Sequence, residues 1–211
     1  IIIFGFKYLR NRSKRSLAIK SNLHNLTHFL RDHHSQLNKI VNCKETNNIN
    51  HDYLCGFLEQ TCNHIKNYLS KLFYDDSLEV AVRLAVETKQ NQIEYRTLAR
   101  SSGLNRSRKI TSEGISPHQG IPRFFIDNNC QGVLRYNDIN KAINLNLFKK
   151  TKNEDLYPDE IVSFLVTPIN AWDGNMNNMI GLLYVTSKGQ KTFKIKHTDS
   201  VKFVTDLIAP F

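Results

Sequence analysis

Apolar residues recur in alternating steps of three and four along the first fifth of the chain. Ile19, Leu23, Leu26, Leu30, Leu37 and Ile40 occupy successive positions of one stripe, with His33 as its one polar member. No proline or glycine falls between Leu9 and Val41, so the spacing predicts one long helix with a heptad seam of about three repeats, near the lower limit for a coiled coil. Such a stripe serves either an amphipathic helix folded back on its own domain or a parallel homodimer, and the dimer is the expectation taken here. The polar stretch Asn42–Asn50 ends this helix, with Asp52 expected to cap the next. Leu54, Phe57, Leu58, Thr61, Ile65, Tyr68, Leu69, Leu72 and Phe73 then trace one helix face that should cover a sheet.

After Phe73 the period changes to two. Leu78, Val80, Val82, Leu84 and Val86 alternate with Glu79, Ala81, Arg83, Ala85 and Glu87, which predicts a half-buried strand. A second strand over Ile93 to Ala99 follows the turn-like Thr88-Lys89-Gln90-Asn91, so the two form a hairpin. Residues 100–120 read as a long connection, and Ile121 to Leu147 as short apolar runs (Phe124-Phe125-Ile126, Val133-Leu134) between polar turns. The C-terminal third holds two apolar strands, Ile161–Ile169 and Met179–Thr186, joined through Trp172-Asp173-Gly174-Asn175. Val201, Phe203, Val204, Leu207 and Ile208 fall at helical spacing after Asp199, which sits at a cap-like position.

Charge changes the picture at the N-terminus. The apolar stub Ile1-Ile2-Ile3-Phe4-Gly5-Phe6 runs straight into Lys7, Arg10, Arg12, Lys14, Arg15 and Lys20, and no acidic residue precedes Asp32. Basic residues directly after an apolar run mark the inner side of a membrane span. Six apolar residues cannot cross a hydrocarbon core that needs about 20, so residues 1–6 are expected to be the end of a longer transmembrane helix. The net charge is +10, yet the first 50 residues hold nine Lys or Arg against Asp32 and Glu45, leaving twenty against seventeen in the rest. A nucleic-acid-binding body would carry its basic residues on the folded domain. Here Lys7, Arg10, Arg12, Lys14 and Arg15 suit anionic lipids at the cytoplasmic face of an inner membrane.

Candidate chemistry adds little. Cys43, Cys55, Cys62 and Cys130 form neither a C-x-x-C pair nor a disulfide framework. Cys55 and Cys62 share a helix face, where a buried free thiol is expected. His24 and His28, four apart, face away from the seam, and His33 is a polar interruption that helps to fix register. The acidic group Glu154, Asp155, Asp159 and Glu160 lacks the alternating oxygen ligands and Gly of a calcium loop, so no metal and no cofactor is named.

The order of opening helix, hairpin, irregular middle, second hairpin and closing helix resembles a GAF domain, an α+β sensor fold related to PAS with an antiparallel β-sheet flanked by helices, here preceded by the long N-terminal helix. The resemblance is most specific in Val166-Thr167-Pro168-Ile169, Ile180-Gly181-Leu182-Leu183-Tyr184-Val185, Phe193, and the segment from Asp199 to Ile208. It covers the chain from about Asp52 onward, so that with the N-terminal readings the chain divides into a membrane helix end (1–6), a basic juxtamembrane helix or coiled coil and linker (7–50) and a GAF-like domain (51–211). It further implies ligand contacts from the irregular middle, for which His118, Arg123, Phe124, Phe125 and Tyr136 are the candidates, since a site needs apolar walls and a few convergent polar groups.

The resemblance stops short of any functional subfamily. The N-K-x-F-D-E run of cyclic-nucleotide-binding members is absent, Cys130 is followed by Gln131 and Gly132 where bilin-attaching members have His, and only Cys130 lies where sulfoxide-reducing members need paired cysteines. The expectation is a non-catalytic sensory or regulatory region of a membrane-anchored signalling protein, acting through dimer geometry on a protein partner. The alternatives are a ligand-free dimerisation scaffold and an enzyme similar to free methionine sulfoxide reductases.

Overall fold

A computed structural model describes residues 2–42, 47–103, 112–148, 156, 161–172, 177–190 and 192–209, with side chains at 2–10, 34–42, 47–51, 172 and 177 outside that description. Helix α1 (Ile2–Asn42) and helix α2 (Asn47–Phe73) precede strands β1 (Glu79–Glu87) and β2 (Ile93–Arg100). Helix α3 (Gly120–Asp127), strand β3 (Leu134–Tyr136) and helix α4 (Ile139–Asn144) form the middle. Strands β4 (Ser163–Trp172) and β5 (Asn177–Ser187) and helix α5 (Lys196–Ile208) close the chain. The sheet is antiparallel throughout in the order β2-β1-β5-β4-β3, so the two hairpins meet at the β1–β5 pair.

Side-chain alternation divides this sheet into two apolar faces. Val80, Val82, Leu165, Ile169, Leu183 and Val185 point to the face covered by α1, α2 and α5, where they meet Ile65, Leu69, Phe193, Val201 and Val204. Ala81, Phe164, Val166, Leu182 and Tyr184 point to the other face and meet Tyr95, Ile121, Phe125, Leu134 and Ala142. A strand buried on both sides reads as a continuous apolar run, which is why β4 and β5 lack a polar alternation. Gly181 is required at the crossing of the hairpins: a Cβ there would come 2.6 Å from the Arg83 carbonyl oxygen.

Four expectations change. Asp52 lies inside α2, which starts at Asn47, and Asp199 lies in the first turn of α5, whose N-cap position is Ile195. A carboxylate in a first turn still complements the helix dipole. Strand β4 runs on past Pro168 to Trp172. It does so because β3 pairs only with Phe164–Val166, and beyond them a missing N–H costs no ladder bond. Finally, the irregular middle contains the helices α3 and α4, and part of the long connection returns alongside β2. There Ile115 exchanges two backbone hydrogen bonds with Tyr95 at 2.9 and 3.1 Å, covering an edge that would otherwise be open.

The heptad stripe is used within the chain. Helices α1 and α2 form an antiparallel hairpin, with contacts descending α2 as they ascend α1: Arg15 to Leu72, Asn22 to Asn67, Phe29 to Phe57 and His33 to Tyr53. Leu26 and Leu30 are buried at 0% and 3% exposure, and Ile19 and Leu23 pack on the same core. These four residues therefore pack on the chain's own core, the first of the two uses that the spacing allowed. The Leu37 and Ile40 side chains fall outside the described residues. So do Cys43, the acidic group from Glu154 to Glu160 and the turn Asp173-Gly174-Asn175.

Candidate functional site

Three of the five residues expected to contact a ligand converge on one open groove. Its volume is about 600 Å³, and His118, Gln119, Arg123, Phe124, Asp127 and Asn128 on one side face Leu145, Asn146, Leu147 and Phe148 on the other. Local sequence builds both walls. Gln119 is extended and Gly120 takes φ +55°, which lets α3 start against the Leu147 carbonyl oxygen, 3.0 Å from where a Cβ would sit. Pro122 falls in the first turn, where its absent N–H has no helical partner to lose. Opposite, the Asp138 side chain accepts a hydrogen bond of 3.0 Å from the Asn140 amide and caps α4. The Ala142 carbonyl then accepts from the amides of Leu147 and Phe148 at 3.0 and 3.1 Å, turning the chain back over the groove.

The groove has an apolar floor and a polar rim. Phe124 stands edge-on to Phe125 at 5.4 Å, and Phe148 packs on Phe164 at 5.3 Å. Arg123 Nε donates to Asp127 Oδ2 at 3.3 Å, with both side chains about two-thirds exposed at 66% and 61%. His118 is exposed at the groove mouth. Phe125 is fully buried and belongs to the second-face core, while Tyr136 lies over Phe164 at 5.5 Å in the same core. Neither lines the groove. Asp127, Asn128 and Phe148 do, and sequence reasoning missed them because it drew no helices here. The signal was present as Ile121, Phe124 and Phe125 at helical spacing after Gly120, and as Asp138 ahead of Ile139, Ala142 and Ile143.

The thiols are divided by the sheet. Cys62 is fully buried in the first-face core, and burial pushes its thiol up to about 12. Cys55 is half-buried on the same helix. Cys130 sits on the other side, at φ +55°, where its carbonyl accepts from Asn170 Nδ2 at 2.8 Å. Burial, with Cys130 nearby adding to it, raises the Tyr95 hydroxyl to about 12. That hydroxyl donates to the Met179 carbonyl at 3.2 Å. Among the described residues no group of three or more His, Cys, Asp or Glu is placed to hold a metal ion.

The basic N-terminal residues also part company. Arg15 donates to the Lys71 and Leu72 carbonyls at 2.8 Å each and its guanidinium covers the Tyr74 ring. It closes the C-terminus of α2, where a cation meets the negative end of the dipole. Arg12 and Lys14 are exposed, whereas the Lys7 and Arg10 side chains lie outside the described residues. Among the described residues no helix is long and apolar enough to cross a membrane.

No protein-family model matches the sequence, and no curated protein matches it significantly. Solved structures do share its arrangement. A GAF domain structure is 12% identical, covering 93% of this chain and 90% of the other, with a TM-score of 0.55. A candidate GAF sensor protein from Burkholderia vietnamiensis is 11% identical, covering 92% of each chain, with a TM-score of 0.56. A type II free methionine-R-sulfoxide reductase from Thermoplasma acidophilum is 16% identical, covering 74% of this chain and 93% of the other, with a TM-score of 0.50. Likeness at these identities speaks for the fold and leaves the chemistry open. With its five-stranded antiparallel sheet in the order β2-β1-β5-β4-β3 between helical layers, the chain carries an α+β domain of GAF-like fold.

Proposed function

We propose that this chain is a non-catalytic sensory or regulatory region of a membrane-associated signalling protein, and that the groove between α3 and the segment after α4 takes a small molecule. The groove itself carries this reading. Its volume of about 600 Å³ suits a small ligand, and its floor of Phe124 and Phe148 is rimmed by a guanidinium, a carboxylate, an amide and an imidazole. Ligand occupancy would be felt directly by the second-face core, since Phe124 and Phe148 touch Phe125 and Phe164. If two copies pair, they use surfaces other than Leu26 and Leu30, which α2 covers.

Two observations bear on the alternatives. Phe125, Phe164, Leu182, Tyr95 and Tyr184 fill the second face of the sheet, which favours a ligand-free scaffold over a deep interior site. The separation of Cys62 from Cys130 by the sheet speaks against paired reactive thiols. Native mass spectrometry of the full chain, expressed in a bacterial cytoplasm, tests all three readings. A retained small-molecule mass that Arg123→Ala and Phe124→Ala remove supports the sensor. A bare protein, with no mass recovered from a metabolite extract, moves the reading to the scaffold. Turnover of free methionine sulfoxide that Cys130→Ser abolishes would establish an enzyme.

A further inference from the structure

From Ile19 to Leu30 the heptad stripe of α1 faces α2, and the side turned away from α2 carries a stripe of a different kind. Leu17, Lys20, His24, His28 and Arg31 follow one another at steps of three and four along that outward side. Leu17 is 72% exposed, Lys20 and His24 are exposed, and the Arg31 side chain is 65% exposed. Lys20, Leu23, His24, Thr27, His28 and Arg31 bound a shallow depression of about 330 Å³. The two imidazoles stand 4.1 Å apart, and Arg31 Nη2 lies 2.9 Å from His28 Nδ1. Arg31 also pairs with Asp32 at 2.8 Å, at the end of the stripe. No acidic residue occurs between Ile1 and Arg31.

We propose that α1 lies side-on along an anionic phospholipid surface through the stripe from Leu17 to Arg31. This rests on the membrane association proposed above and extends it from the basic N-terminal residues to the middle of the helix. Three features select lipid as the occupant. A second copy of the same stripe would set cation against cation. A single-stranded nucleic acid draws on aromatic side chains for base stacking, and the outward stripe has none beyond its imidazoles, while a duplex offers phosphates to the cations but no apolar layer to the exposed Leu17. An exposed Leu17 among cations, on the helix whose first residues are the apolar Ile2, Ile3, Phe4 and Phe6, fits the boundary between head groups and acyl chains. From Leu17 to Arg31 the helix rises about 21 Å, so the contact spans several head groups. The body then lies beside the membrane, where a helix leaving it end-on would hold the domain at a distance.

The test is binding of the full chain to phosphatidylcholine vesicles with and without about 30% phosphatidylserine, for the parent, Lys20→Gln/Arg31→Gln and Arg12→Gln/Lys14→Gln. All four cations are exposed, and unchanged circular dichroism melts verify that each variant folds. The expected result is a preference for the anionic vesicles that Lys20→Gln/Arg31→Gln reduces roughly twenty-five-fold, at about five-fold per cation. If only Arg12→Gln/Lys14→Gln weakens binding, the contact is end-on, membrane association stands and the side-on inference is overturned. No preference for anionic vesicles overturns both. Tight binding to duplex DNA that depends on Lys20 and Arg31, without vesicle binding, identifies nucleic acid as the partner instead.

Discussion

The two faces of the sheet are covered in different ways. The first is buried under α1, α2 and α5, of 41, 27 and 13 residues, whereas the second lies under α3 and α4, of 8 and 6. Long helices bring many apolar positions to one core and leave a polar outer side. Short helices must be fixed by caps and turns, and their ends leave concave surface between them. The groove lies at those ends on the second face, and the charged stripe lies on the outside of the first. Stability and binding are thus separated by layer.

The largest effects should come from the buried centre of each face. Phe125→Ala removes a fully buried ring under α3 and should cost about 3–5 kcal/mol, read in urea melts. Leu26→Ala, equally buried between α1 and α2, should cost about 2–5 kcal/mol whatever the protein concentration. A Leu26→Ala loss that shrinks on dilution would show that the stripe pairs two chains after all, and the contrast between the faces would need redrawing.

Acid should loosen the first face before the second. His197 is 5% exposed and its ring stacks on Phe73 at 4.0 Å. Burial, with Lys196 and Lys194 adding to it, holds its imidazole below the ordinary histidine range, and His64 is lowered by burial and by His33. A histidine whose folded pKa is depressed favours folding while it is neutral. Its contribution is complete above the unfolded value of about 6.5 and is lost as pH falls toward the folded one. Asp75 acts lower on the scale. Burial alone would raise its carboxyl, but hydrogen bonds from Ser187 Oγ and from the Ser77 hydroxyl and amide outweigh that and hold it below the ordinary range. That support is present above about pH 3.9 and disappears below it. Hydrogen-exchange protection factors, which divide out the slower intrinsic exchange at the lower pH, should therefore fall from pH 7 to pH 5 in α2 and α5 and stay level in α3. An equal fall in the protection of α3 would dissolve the distinction.

The same division governs what the sequence reveals. Period and length announce α1, α2, the two hairpins and α5, because each buries a whole face or stripe and repeats its signal over many residues. Helices α3 and α4 repeat theirs at most twice, so Phe124-Phe125-Ile126 passes for an isolated apolar run and α4 gives no run at all. The stripe from Ile19 to Leu30 shows a different limit. Periodicity fixes which side of a helix is buried but not what buries it, and α2 satisfies Leu26 and Leu30 as well as a second copy would. Arg15 shows the corresponding limit for charge: its place among cations suggested lipid, while its distance from the α2 carbonyls is a tertiary fact.

The smallest effect on stability should accompany the largest effect on binding. Arg123 and Asp127 form an i,i+4 pair in which both side chains are about two-thirds exposed, so solvent screens most of their attraction and Arg123→Ala should change stability by less than about 0.5 kcal/mol. The same change removes the cation from the groove rim. Any acidic ligand retained by the parent should then be lost, measured as mass on the native protein. Phe124→Ala should fall between the extremes, since its ring is half-buried between groove and core. If Arg123→Ala destabilised the fold as much as Phe125→Ala, the groove rim would belong to the core, and the separation of binding from stability would fail at the residue where it is drawn most sharply.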